Sequence, residues 1–132
     1  VGTAAASYQI GRVGGGISQI DGYFTHGADK YRVECKWHAK PADHNDVVAF
    51  ADKIDVVGVG GLFISMSGFT EPAIGRAREK RGQKAILLMD GSEARAVFNL
   101  QLNFDDVMAR KRSYFDQRSE PYHRVVVDPE AA

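Results

Sequence analysis

With a single cysteine, Cys35, this 132-residue chain can form no internal disulfide and no cysteine-rich zinc site, and it suits a reducing compartment. The four histidines contain no pair at the spacing of a helical zinc site, which argues against zinc a second time. An excess of one charge is also missing. Lys plus Arg and Asp plus Glu both number 17, so no global basic field advertises a polyanion partner. Any nucleic-acid contact must then come from a local site. No apolar run approaches the length that spans a bilayer, and the opening V-G-T-A-A-A-S-Y-Q-I-G-R-V-G-G-G lacks the basic start and apolar core of a signal peptide. The expectation is a soluble, cytoplasmic protein with no membrane partner. The abrupt opening, rich in small residues and without a helix start signal, suggests a domain taken from a longer chain with further domains.

At 44% hydrophobic residues the chain supports one compact domain with a real core. Its clearest local pattern is a pair of alternating segments, I-S-Q-I-D-G-Y-F-T from Ile17 to Thr25 and K-Y-R-V-E-C-K-W-H from Lys30 to His38, separated by H-G-A-D. This predicts a β-hairpin in which Thr25 opposes Lys30, Asp21 opposes Glu34 and Ile20 opposes Cys35. One face then collects Ile20, Gly22, Phe24, Tyr31, Val33, Cys35 and Trp37. The other collects Gln19, Asp21, Tyr23, Lys30, Arg32, Glu34, Lys36 and His38. A slip of one residue would mix the two sets, so the separation supports the register.

After Pro41, Asp43 or Asn45 can cap a helix with Val47, Val48, Ala51 and Ile54 on its inner face. The apolar run from Val56 to Met66 reads as a buried central strand, loosened by glycines in its first half. Thr70 with Glu71 and Pro72 starts a second helix, K-A-I-L-L-M is another buried strand, Asp90-Gly91 turns it, and Ser92 is expected to cap a short helix to Phe98. A last helix is expected from Phe104 to about Tyr114, with Arg110, Lys111 and Arg112 near its cation-favouring end. The tail S-E-P-Y-H-R-V-V-V-D-P-E-A-A reads as an extension or a short added edge strand. The class is α/β, a mixed β-sheet flanked by helices.

Two carboxylates opposed on a sheet repel, so Asp21 facing Glu34 calls for a compensating positive charge. A divalent cation fits: Mg²⁺, or Mn²⁺ in its place, prefers oxygen ligands, and Asp21, Glu34 and the Cys35 backbone carbonyl with waters can provide them. Lys36, two residues from Glu34, points the same way and can hold an attacking water or stabilise charge on phosphorus. The parts suit phosphodiester hydrolysis.

The order of Q-I-D-G-Y-F, V-E-C-K-W, G-G-L-F-I-S-M-S-G-F-T-E-P-A and I-L-L-M-D-G resembles the catalytic domain of Mrr-like restriction endonucleases, of the PD-(D/E)xK superfamily. The resemblance implies a restriction-endonuclease-like fold and a metal-dependent DNA endonuclease of restriction or DNA-processing type. It places the catalytic roles on Asp21, Glu34 and Lys36, with DNA as partner. It further implies a nuclease core over residues 1–104, with 105–132 as a helix and tail of the same domain. The chain departs from the family pattern at Gln19, where glycine is usual, and shows no helix before Ile17 to supply the acidic residue such nucleases often carry there.

Each signal has a plainer counterpart. Asp21, Glu34 and Lys36 also fit a solvated sheet face neutralised by Lys36 and Arg32, worth well under ~1 kcal/mol per exposed pair. Cys35, between Val33 and Trp37, fits a small buried hydrophobe better than a nucleophile. His38 and Lys40 follow the strand and are candidates for phosphate contact, with solvated loop residues as the alternative. The glycines at Gly14 to Gly16 and Gly58 to Gly61 lack the residues of a phosphate loop. Arg76 to Arg81 and Arg110 to Arg112 fit solvated helix ends as well as DNA contacts. An inactive nuclease fold acting as a DNA-binding or protein-interaction module is the alternative reading, and a Holliday-junction-type nuclease a further one; homodimer formation is left open.

Overall fold

The computed structural model describes residues 7–13 and 16–126, with side chains from residue 21 onward. The residues of the V-D-P-E-A-A end, two of the three glycines of the first run, and the side chains of Gln19 and Ile20 lie outside that description. The described chain runs β1 (Ser7–Val13), β2 (Gly16–His26), β3 (Asp29–Lys36), α1 (His44–Lys53), β4 (Val59–Ser65), α2 (Glu71–Glu79), β5 (Ile86–Asp90), α3 (Gly91–Phe98) and α4 (Phe104–Arg118).

The hairpin of β2 and β3 has the predicted register, with Thr25 opposite Lys30, Asp21 opposite Glu34 and Ile20 opposite Cys35. Gly27 sits at φ +60, a left-handed position that glycine enters without steric cost, and this closes the turn. Beyond the hairpin the chain crosses through α1 and α2 to parallel strands, so the five strands lie in sequence order with an antiparallel and a parallel half. The predicted mixed sheet flanked by helices is what the structure has. β1 is an addition that the sequence reading did not assign. Its register against β2 shifts between Gly11 and Arg12, and such an irregularity interrupts the two-residue alternation by which a strand is recognised.

Alternation along the strands loads both faces of the sheet. On one side Phe24, Tyr31, Val33, Leu62, Leu87 and Met89 pack against Val107, Met108 and Phe115 of α4. On the other, Phe63, Ile86 and Leu88 meet Val47, Phe50 and Ala51 of α1 and Ala73 and Ala77 of α2. β4 and β5 are therefore buried on both faces, which is why their sequences are continuously apolar. Gly61 is needed for that closeness: a Cβ there would lie 2.6 Å from the Phe50 ring and from Ile54.

Four local expectations are corrected. The central strand begins at Val59 rather than Val56, because Val56 and Val57 are exposed ahead of Gly58 at φ +86. Asp90, not Ser92, caps α3, in a reciprocal box where Asp90 accepts from the Glu93 amide and Glu93 from the Asp90 amide. α4 continues to Arg118, ending on Ser119 in the left-handed region. The described part of the tail is no strand; it lies along the edge of β5, where the Leu88 amide donates to the Pro121 carbonyl at 2.9 Å.

The run Arg110-Lys111-Arg112 is not a solvated helix end either. Lys111 is fully buried and spends its three donors on Glu93 at 2.7 Å, the Leu88 carbonyl at 2.7 Å and the His123 carbonyl at 2.9 Å. Glu93 in turn accepts from the Val125 amide at 2.9 Å. One buried ion pair thus joins α3, α4, β5 and the tail.

Beside it, Asp90 is held at about 2, below its usual 3.8. Burial pushes that carboxyl up, but the Tyr122 hydroxyl, the Glu93 amide, the Ser92 hydroxyl and Arg124 together outweigh it. A depressed carboxylate contributes stability that is complete above its unfolded value and is lost as pH falls through the folded one. Urea unfolding should therefore show stability declining from about pH 4 toward pH 2. Asp90→Asn should be less stable at neutral pH and decline less over that window; an unchanged acid slope would rule the contribution out.

Candidate active site

β3 is the strand on which the candidate residues converge, and it is central, with β2 on one side and β4 on the other. Glu34 and Lys36 point from it toward α1. Strand alternation alone makes this a polar face, yet Glu34 is only 1% exposed because α1 covers it. A buried carboxylate requires partners, and Glu34 has two ammonium groups near it. Lys53 Nζ donates to its Oε1 at 2.7 Å, and Lys36 Nζ lies 3.7 Å from its Oε2. Lys36 Nζ is also 3.5 Å from Asp46 Oδ1, and it stands 5.8 Å from the centre of the Phe63 ring.

This crossed pairing follows from helix and strand geometry. Asp46 and Lys53 are seven residues apart, close to two helical turns and about 10 Å, so both project from one face of α1. Glu34 and Lys36 are about 7 Å apart on one face of β3. Because α1 runs back along the sheet after β3, its first turn meets Lys36 and its last turn meets Glu34. Asp46 also closes the box that starts α1, exchanging hydrogen bonds of 2.9 Å with Asp43. Burial pushes the Asp46 carboxyl up, but the Asp43 amide and the Lys36 ammonium outweigh it, and the net shift is downward.

Neither Asp46 nor Lys53 was singled out from sequence. The available signal was their spacing: a carboxylate and an ammonium two turns apart on a helix that follows an ExK strand. Asp21, half-buried, is the direct cross-strand partner of Glu34, so the two side chains share a face. Asp21, Glu34 and Lys36 are thus brought together as predicted. His38 and Lys40 are exposed, in a loop tied to the one after β4: the Ser67 hydroxyl donates to the His38 carbonyl, and the Ala42 amide to Gly68 at 2.9 Å.

The donors around Asp21 and Glu34 are oxygens, the chemistry Mg²⁺ or Mn²⁺ requires. The Lys36 carbonyl accepts from the Met66 amide on the β4 side, so the preceding Cys35 carbonyl turns the other way, toward β2 and Ile20. Among the described residues no three His, Cys, Asp or Glu side chains gather into a metal-binding cluster. A cation held here would take two carboxylates, with carbonyl and water filling the remaining positions. The residues fit such an ion in kind, and one of the Glu34 oxygens already carries the Lys53 ammonium.

Cys35 itself faces away from this group, into a groove of about 610 Å³ on the opposite side of the sheet, with Trp37, Ile64, Met66, Val97 and Phe104 around it. Burial pushes its thiol up to about 11. Iodoacetamide at pH 7.5 should therefore modify Cys35 far more slowly in the folded protein than in urea, where an ordinary thiol is restored. Equal rates would mean that burial does not suppress the thiol, and a faster rate in the folded protein would mean an activated one.

The basic runs are largely occupied within the chain. Arg76 pairs with Glu79 at 3.2 Å, Arg78 with Glu120 at 3.0 Å, and Arg112 with Asp116 at 3.0 Å. Among the described residues no helix is long and apolar enough to cross a membrane.

A family model described as restriction endonuclease, that of the Mrr catalytic domain, matches residues 4–97 of the chain. The match spans β2, β3 and the residues around Glu34. No curated protein and no solved structure matches the chain.

Proposed function

The chain belongs to the Mrr catalytic-domain family of restriction endonucleases, and from that premise we propose that it is a divalent-metal-dependent deoxyribonuclease cutting by attack of water on phosphorus. The observation that carries the reading is the side-by-side arrangement of Asp21, Glu34 and Lys36 on adjoining strands. In this reading Asp21, Glu34 and the Cys35 carbonyl would hold Mg²⁺, with Mn²⁺ as a substitute, and the ion when bound would supply Lewis-acid polarisation of the phosphate. Lys36 contributes an ammonium beside that phosphate, where it orients the attacking water and offsets the charge that builds on the phosphate oxygens. Asp46, 3.5 Å from the Lys36 nitrogen, holds the ammonium in place as a positioning residue. Lys40 and His38, exposed just beyond β3, are assigned to the DNA backbone. Residues 1–104 form the nuclease core in this reading, and α4 and the tail, bound to α3 and β5 through Lys111, belong to the same domain.

The test is a plasmid-nicking assay with Mg²⁺, Mn²⁺ or EDTA, on wild type and Asp21→Ala. Metal-dependent nicking that Asp21→Ala removes is the expected result. Nicking that persists in EDTA, or in folded Asp21→Ala, would sink the assignment.

One observation favours a second reading, in which the fold binds DNA or protein without cutting. Glu34 is already neutralised by Lys53 at 2.7 Å, so the buried carboxylate needs no cation to be stable. A folded wild type that binds no Mn²⁺ in a calorimetric titration would favour that inert module.

A further inference from the structure

We propose that Lys53 is a latch on the metal site: its ammonium holds one of the two Glu34 oxygens, so that a divalent cation competes with Lys53 for that carboxylate and displaces it on binding. The inference rests on the metal-dependent reading above and concerns how the same site is held before metal arrives. Lys53 Nζ is 2.7 Å from Glu34 Oε1, closer than Lys36 Nζ is to Oε2 at 3.7 Å. An ammonium at hydrogen-bond distance and a cation at coordination distance from one carboxylate compete for the same negative charge and repel each other at that separation.

Of the two lysines, Lys53 is the one able to leave. Its side chain is 40% exposed, against 15% for Lys36. It stands in the last turn of α1, where a flexible stem can swing into solvent without disturbing the core. Lys36 is held on its other side by Asp46 and over Phe63.

Charge balance favours exchange over simple addition. The ion-paired groups Glu34, Asp46, Lys36 and Lys53 sum to zero formal charge. A divalent cation added beside Lys53 therefore brings two extra positive charges into a largely buried setting, whereas one that takes the place of Lys53 brings one, and the smaller excess is the less unfavourable. While the latch is closed it also gives the buried Glu34 carboxylate a counter-ion at hydrogen-bond distance, where Lys36 stands off at 3.7 Å.

The test measures Mn²⁺ binding without nucleic acid, by the EPR signal of free Mn²⁺, in wild type, Lys53→Met and Lys53→Arg. Removing the competitor should tighten binding in Lys53→Met about tenfold, while Lys53→Arg, whose guanidinium grips a carboxylate bidentately, should weaken it. If Lys53→Met does not fold, the arginine variant and wild type still decide. In wild type, the Lys53 ammonium resonance in ¹⁵N NMR should move to a solvated position as Mg²⁺ is added. Equal affinity in all variants, or weaker binding in Lys53→Met, overturns the latch and leaves the metal-dependent reading standing. No Mn²⁺ binding in any folded variant overturns both. Tighter binding in Lys53→Met in a protein that never nicks DNA upholds the latch and removes the nuclease reading.

Discussion

Lys36→Ala should lower DNA cleavage by at least about 100-fold while leaving the protein folded, the range seen when a positioned electrostatic or proton-handling group is lost. The size of the effect follows from where the ammonium is. Lys36 is only 15% exposed, so its charge acts through a medium that screens it far less than water would. It is flanked by carboxylates at 3.7 Å and 3.5 Å and backed by the Phe63 ring, so its position is fixed before any substrate arrives. A fixed charge does not have to reorganise when charge develops on the phosphate. Asp46→Asn removes the anion at 3.5 Å but keeps an oxygen for the Asp43 amide, so it should lower the rate less than Lys36→Ala and leave α1 intact. Initial rates of plasmid nicking in Mg²⁺, with thermal melts as the folding control, measure both. Full activity in Lys36→Ala would remove the residue from the mechanism.

The largest loss of stability is expected at the opposite side of the sheet, from Lys111→Met. Lys111 and Glu93 are both fully buried and 2.7 Å apart, and the remaining donors of the ammonium go to Leu88 and His123 carbonyls. Methionine fills a similar volume but leaves Glu93 as a buried charge without its counter-ion, together with two carbonyls without their donor. Breaking a buried pair in this way costs about 3–5 kcal/mol. In a domain of this size that corresponds to a fall in Tm of about 10 °C or more. The double variant Lys111→Met, Glu93→Gln should lose less than the sum of the two single variants, because no uncompensated charge is left behind. Additive losses would show that the pair is not coupled. Full stability of Lys111→Met would mean that Glu93 is satisfied without it.

Much of the sheet was legible because its signals are local. The hairpin declared its register through the two-residue alternation on both sides of H-G-A-D, and the observed pairing of Asp21 with Glu34 is that register. Caps at Asp43 and Thr70 were legible for the same reason, since a capping side chain acts on amides within its own first turn. β1 was not legible, because the register shift after Gly11 interrupts the alternation. At α3 two acceptors, Asp90 and Ser92, stand two residues apart, and only the Glu93 hydrogen bonds decide between them.

The sequence by itself determined the α/β class, the pairing of the central hairpin and the convergence of Asp21, Glu34 and Lys36, because strand alternation dictates which residues share a face. Only the tertiary structure decided what that face meets. Two opposed carboxylates call for a compensating positive charge, and packing of α1 over β3 brings Lys53, together with Asp46, into the group from residues distant along the chain. It likewise turned Lys111 from a surface charge into the centre of a buried network. Both outcomes depend on which helix face lies against which strand, and that is set by the apolar contacts of the whole core rather than by any local spacing.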